Sequence, residues 1–545
     1  MRSIISIAAS ATLSLGLVYA QPPAPTTPIQ HVVVIFGENE SFDHYFGTYP
    51  NALNAPGQPR FIALPNTPAV NGLTPALLNN NPNFTNSANG TGAANPFRLN
   101  RSQALTSSQN HSDGPEQASF DNFNMDLFPS KTGAAGGTPV LFPPVTNTKG
   151  MVMGYFDGNT VTAMWEYAQH YSLSDNSYNS QFGPSTPGAI NLIAGQTNGI
   201  NGTLNGPSSN AISDGLGGMT LIGDADPLMD VCSSSTGFQA SLSGKNVGDL
   251  LNTAGLTWGW FHGGFDLGVI NPNGKTNCQR STVSPITGLT ETDYVPHHQP
   301  FQYYASTRNP LHIRPTSAST VGTATDPANH QYDTHDFFDA LAIGNLAAVS
   351  FLKAQSYQDA HPGNSNPLDE QAFVVGVINA LQQSTFWNST AVIIAYDDSD
   401  GWYDHQPASI NGVPFIANGS FTTTDSLTGT NACGTQGVTP VLPGPNSAEQ
   451  PVQGRCGPGV RTPLLAISPW AKPNFVDHTL TTQSSVLRFI ESNWTLGQIG
   501  GGSFDSIANP ITNMFDFSQA TPQNPNPLIL SPTTGLPQST GLSQQ

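Results

Sequence analysis

Three short apolar runs constrain this chain more than any other feature. They are residues 32–36 in HVVVIFGEN, 391–395 in STAVIIAYDDSDG, and the core of RTPLLAISPW at 461–470. Their residues are mostly β-branched or aliphatic and do not alternate with polar ones, so each strand needs cover on both faces. Helical patterns fall between and after them, at 159–170, 247–255, 332–345, 368–383 and 484–494, with a further buried strand expected at 257–261. Buried strands interleaved with helices predict an α/β fold around a mainly parallel sheet. In such sheets ligands bind beyond the carboxyl ends of the strands.

Two of the runs end in acids at that edge. The first releases Glu38 and Asn39, with Asp43 and His44 close behind; the second releases Asp397 and Asp398. Converging carboxylates repel one another unless a cation sits among them, and oxygen ligands suit a hard divalent ion such as Mg²⁺, Ca²⁺ or Mn²⁺. Alone, DDSDG reads more readily as a solvated turn. Two strand-ended acid clusters in one chain bring a metal site level with that reading.

Ser185, in FGPSTPG, follows a Gly-Pro turn and precedes a small apolar helical run. An ordinary N-cap serine explains it, but the same position sets a hydroxyl beside backbone N–H groups that attract an oxyanion. No G-x-S-x-G elbow occurs anywhere in the chain, which removes the α/β-hydrolase alternative. Histidines stand in loops: His111, the pair His297-His298, and His361. A lone loop histidine is usually a surface residue, whereas several near an oxyanion bind it or protonate a leaving oxygen. A hydroxyl nucleophile, oxygen ligands for a metal and several histidines together suggest phosphoryl transfer.

Composition narrows the setting. The net charge is −19 with 16 Lys plus Arg in 545 residues, which argues against nucleic acid or an anionic membrane surface as main partner. Residues 1–20 read as a cleaved secretory signal, and no other stretch has the length of a membrane span. Sequons at Asn83, Asn89, Asn100, Asn110, Asn201, Asn388, Asn418 and Asn493 agree with a secreted, glycosylated protein. The four cysteines lack metal-ligand spacing, and an even number in an exported chain favours two disulfides, expected as Cys232–Cys278 and Cys433–Cys456. Residues 21–517 are expected to form one catalytic domain, with 51–150 as a loop-rich cover, 406–455 as a surface insertion and 518–545 as a flexible tail. Oligomeric state is left open.

The opening block HVVVIFGENESFDHYFGTYP resembles that of the bacterial phospholipase C and acid phosphatase family of the alkaline phosphatase superfamily. The resemblance continues in order through HSDGPEQASFDNFNMD, FGPSTPGAINLIAGQTNG, TWGWFHGGF, YVPHHQPFQYY, HPGNSNPLDEQ, AYDDSDGWYDHQ and GPGVRTPLLAISPWAKPNFVDHTLTTQSSVLRFIE. It implies an alkaline phosphatase-like three-layer sandwich and a divalent ion of the Mg, Ca, Mn or Zn class held by Glu38, Asn39, Asp397 and Asp398. It further implies a nucleophilic Ser185 that forms a phosphoserine, and phosphate or leaving-group contacts from His111, His297, His298 and His361. Asp43 and His44 become hydrogen-bonding supports of the loop. Two departures stand out: Gly188 replaces an asparagine usual in the phospholipase branch, and Thr482 replaces an acid. Absence of the long C-terminal extension of haemolytic phospholipases favours a secreted phosphomonoesterase, with its histidines protonated at acid pH. A phospholipase C acting on phosphatidylcholine-type diesters is the alternative, and a catalytically silent carbohydrate- or wall-binding protein the remaining one.

Overall fold

The computed structural model describes residues 22–121, 123–135, 147–206, 209–213, 218–410, 413–414 and 457–538. The expected leader, most of the 406–455 insertion, the Cys433–Cys456 pair and the Asn418 sequon lie outside the described residues.

Eight strands build the main sheet: β1 (His31–Gly37), β2 (Ser172–Ser174), β3 (Trp258–His262), β4 (Gln331–Tyr332), β5 (Val349–Lys353), β6 (Thr390–Tyr396), β7 (Leu464–Ile467) and β8 (Phe475–Asp477). Their order across the sheet is β4-β3-β5-β1-β6-β7-β2-β8. The apolar run of β1 lies at its centre, with Val32 opposite Val349 of β5 and Ala391 of β6. Val32, Val33 and Val34 are wholly buried, and full burial of each such side chain stabilises by about 1.5–3 kcal/mol. The sheet is parallel except at β7, which runs against both β6 and β2. This reversal has a consequence for the site. The residues entering β7, not those leaving it, reach the edge where the parallel strands end.

Eight helices matter for the argument: α1 (Phe42–Phe46), α2 (Asp113–Ser119), α3 (Thr162–His170), α4 (Ser185–Ala194), α5 (Val247–Ala254), α6 (Thr334–Ala342), α7 (Pro367–Gln382) and α8 (Gln483–Trp494). Helices α4, α5 and α8 pack in one group and α3 with α7 in another, giving the α/β sandwich expected. Local signals account for their ends. Asn366 caps α7 by accepting from Leu368 and Asp369 N–H, with Pro367 in the first turn; Gly255, at φ 69°, closes α5, where glycine enters the left-handed region without a Cβ clash. Strands β2 and β5 had no clear signal: one is the short tripeptide SLS, the other the five residues VSFLK, interrupted by Ser350 and ending in lysine.

The stretch 518–538, expected as a flexible end, lies against the domain. Leu530 is fully buried, and its carbonyl accepts from Asn379 Nδ2 of α7 at 2.8 Å. Cys232 and Cys278 form a disulfide. The sequons divide: Asn110, Asn201 and Asn388 are exposed, whereas Asn83, Asn89 and Asn493 are buried and donate their amides to backbone carbonyls. Those three are closed to glycans in the folded protein.

Candidate active site

Glu38 and Asn39 follow β1 directly, and Asp397 and Asp398 follow its hydrogen-bonded neighbour β6. Asn39 adopts φ 63°. Its backbone N–H donates to Asp397 Oδ1 at 2.9 Å and its Nδ2 to Asp400 Oδ1 at 3.0 Å, so the two strand ends are tied together. The Asp397 carbonyl is held by Asn179 Nδ2 at 2.5 Å and by Gln483 Nε2 at the start of α8. Gly188, in the first turns of α4, closes on the same carbonyl; a Cβ there would lie 2.0 Å from its oxygen. Glycine at 188 therefore has a steric reason, because any side chain would push α4 off the end of β6.

Ser185 opens α4 after a turn through Gly183, at φ 118°, and Pro184. Its Oγ lies 3.1 Å from Glu38 Oε2 and 3.2 Å from Asp398 Oδ2. The hydroxyl thus sits between acids from both strands. Glu116 of α2 braces this arrangement: it accepts from Gly183 N–H at 3.0 Å and from Ser399 Oγ at 2.6 Å, joining the serine turn to the acid loop. Burial pushes its carboxyl up to about 7.

The four histidines surround the same place. His298 Nδ1 lies 3.1 Å from Glu38 Oε1, His111 Nδ1 3.1 Å from Asp400 Oδ1, and His297 Nδ1 3.5 Å from Asp226 Oδ1. The rings of His111 and His361 are 6.0 Å apart, those of His297 and His298 4.5 Å. Burial disfavours the cation at all four, and neighbouring charges decide the outcome. Asp398 and Asp400 overcome burial at His111 and hold it well above the usual range, while Asp224 and Asp226 raise His297. His298, facing His297 and Lys353, stays well below, and burial with nearby His111 keeps His361 low. Two of the four are thus favoured as cations and two as neutral rings, burial deciding at His298 and His361 with the neighbouring positive charges adding to it.

Sequence reasoning missed several neighbours. Lys353, the last residue of β5, is buried with its Nζ paired to Glu38 Oε1. No sequence signal marked it, because VSFLK does not stand out as a separate strand. Asp359 accepts from Glu38 N–H through its carbonyl at 2.8 Å, and burial pushes its carboxyl up to about 7. Asp43 and His44 engage other partners: Asp43 pairs with Arg461 and His405, and the His44 ring stacks on Trp402 at 4.0 Å.

The donor set fits a divalent ion. Asn39 Oδ1 and Asp397 Oδ2 are buried without a hydrogen-bond partner, although buried polar atoms are normally paired. Burial and Asp397 push both Glu38 and Asp398 well up, Lys353 offsetting this only in part at Glu38. Hard oxygens with unused lone pairs and surplus negative charge are what such a cation binds. Beside the Ser185 turn opens a cavity of about 430 Å³ lined by His111, Asp113, Pro184, Asn210 and Asp224 among others, with Ile222 its one large apolar residue.

A model of the phosphoesterase family matches residues 29–497. Phospholipase C A of Mycobacterium tuberculosis is 23% identical over 524 residues, covering 93% of this chain and 81% of the relative. The non-hemolytic phospholipase C of Pseudomonas aeruginosa is 23% identical over 511 residues, covering 91% and 58%. Among solved structures, a protein of the alkaline phosphatase superfamily from Vibrio parahaemolyticus is similar at 11% identity and a TM-score of 0.25, over 76% of each chain.

Proposed function

This chain belongs to the phosphoesterase family, and from that premise we propose that it is a metal-assisted hydrolase of phosphate monoesters with Ser185 as nucleophile. The observation that carries the reading is the Ser185 hydroxyl held between Glu38 and Asp398. Glu38, Asn39, Asp397 and Asp398 would hold a divalent ion, which supplies Lewis-acid stabilisation of phosphoryl oxygens and a lowered pKa at the serine hydroxyl. Ser185 Oγ passes its proton to the Glu38 or Asp398 carboxylate that it faces and forms a bond to phosphorus as the bond to the ester oxygen breaks. The leaving alkoxide takes a proton from a histidine; His111 and His297, the two held as cations, are the donors of choice. Water then attacks the phosphoserine, releasing phosphate and restoring the hydroxyl. Lys353 holds Glu38 in place, and Glu116 keeps the serine turn against the acid loop.

Asn210 and Asp224 in the lining of the adjoining cavity support a small polar leaving group, such as that of a soluble monoester. The disulfide supports an oxidising, extracellular setting. A second reading, phospholipase C activity on phosphodiester lipids, is favoured by what the relatives above are called. Hydrolysis of p-nitrophenyl phosphate, compared with phosphocholine release from phosphatidylcholine vesicles, separates the two. For either substrate Ser185→Ala is expected to lose about 10³–10⁶-fold in kcat; activity equal to wild type would sink the assignment.

A further inference from the structure

The nucleophile turn is not an open anion site. Thr186 N–H, which follows Ser185 at the start of α4, donates to Asp224 Oδ1 at 3.0 Å. The Asp224 backbone is fixed in turn, its carbonyl accepting from Asn210 Nδ2. Asp224 also lines the cavity beside the Ser185 turn, together with His111, Asp113 and Pro184. His111 and His297 both feel its charge. Tyr303, packed beside Thr186, and Asp226, on the same loop as Asp224, complete the ionisable groups around it. A negatively charged oxygen thus already occupies the donor that a phosphoryl oxygen on Ser185 would seek.

We propose that Asp224 is a specificity-determining residue that makes the site select phosphoryl groups carrying a single negative charge. The inference rests on Ser185 as phosphoryl acceptor. An incoming phosphoryl oxygen must either displace the Asp224 carboxylate from Thr186 N–H or lie next to it. A dianion meets that carboxylate with two charges; a monoanion meets it with one and can present a P–OH that donates to it. Phosphate monoesters lose their second proton near pH 6, whereas diesters stay monoanionic. If only the monoanion is accepted, KM for a monoester rises roughly thirtyfold from pH 5 to pH 7.5.

The test is KM for O-phosphotyrosine relative to the inhibition constant of bis(p-nitrophenyl) phosphate against it, measured at both pH values on metal-loaded enzyme. The diester has constant charge, so ionisations of the enzyme itself cancel in the ratio. The ratio should rise roughly thirtyfold in wild type and less than about threefold in Asp224→Asn and Asp224→Ser. Thermal melts confirm that each variant is folded, and the serine variant guards against a misoriented amide. A wild-type-like rise in both variants overturns the proposal. So does a fall in kcat with the pH rise intact, which would make Asp224 a proton donor or a support for Thr186. Failure of the premise is read separately, as full activity of Ser185→Ala.

Discussion

Two buried carboxylate clusters lie along the same edge of the sheet, and they are neutralised differently. Around Arg461, which enters the reversed strand β7, four of the five guanidinium N–H groups have oxygen acceptors: Nε–H is shared between both oxygens of Asp404 at 3.1 Å, one Nη2 N–H reaches Asp43 Oδ1 at 3.1 Å, and Nη1 donates to the Asn71 and Asp175 carbonyls at 2.8 Å. The guanidinium also lies 4.2 Å over the Phe42 ring, and His405 Nδ1 reaches Asp43 Oδ2 at 2.6 Å. Burial pushes Asp43 up, but His405 and Arg461 overcome it and leave the carboxyl below its usual range. At the Ser185 site the acids outnumber their one lysine, and two buried oxygens have no partner. The first cluster is complete within the chain. The second is complete only with something brought from outside, and that contrast separates a structural clamp from a reaction centre more clearly than acid content does.

The largest expected effect is at the clamp. Arg461→Met keeps much of the volume but strands Asp43 and Asp404, and should cost about 3–5 kcal/mol of unfolding free energy. Chemical denaturation measures it; an unchanged midpoint would mean that the guanidinium contributes no net stability. Next comes the open cluster, where the sign reverses. Adding the bound divalent ion to chelated protein at a hundredfold excess over Kd should stabilise by about 2.7 kcal/mol. A double variant, Asp397→Asn with Asp398→Asn, should lose that increment, yet be no less stable than chelated wild type because it relieves like-charge repulsion. Thermal shifts with and without metal check both statements, and equal increments in the two proteins would contradict the metal assignment.

How much of this was legible in the sequence follows from which interactions are local. Glu38, Asn39, Asp397 and Asp398 could be placed because each directly follows an apolar run long enough to read as a strand, and the family resemblance paired them with Ser185 and the histidines. Lys353 ends a strand that gave no separate signal, and its partner Glu38 is 315 residues away in sequence. Arg461 was visible as a residue before a strand, but its role depends on that strand running backwards, which no apolar pattern specifies. Asp224 and Glu116 act through backbone N–H groups of the serine turn, and such contacts leave no trace in residue spacing. The Gly188 departure becomes intelligible only once the Asp397 carbonyl is seen against it.

A third cluster sharpens the comparison, because neither a guanidinium nor a metal is needed to explain it. Glu491 of α8 and Asp505 are 2% and 1% exposed. Arg488 approaches Glu491 Oε2 only to 3.6 Å from a partly exposed position. Burial, with Asp505 beside it, pushes the Glu491 carboxyl up to about 9, so Glu491 is held as the neutral acid near pH 7. An unfolded glutamate ionises near 4.3. Between that value and about 9 the unfolded chain releases a proton that the native protein retains, so stability should fall as pH rises, by at most about 1.4 kcal/mol per pH unit. The full contribution is present below the lower value and gone above the upper one. Glu491→Gln keeps the shape, removes the titration and should flatten the slope between pH 7 and pH 9 in urea denaturation, while the metal increment at the Ser185 site persists. A slope unchanged by the substitution would show that Glu491 is not held as the neutral acid.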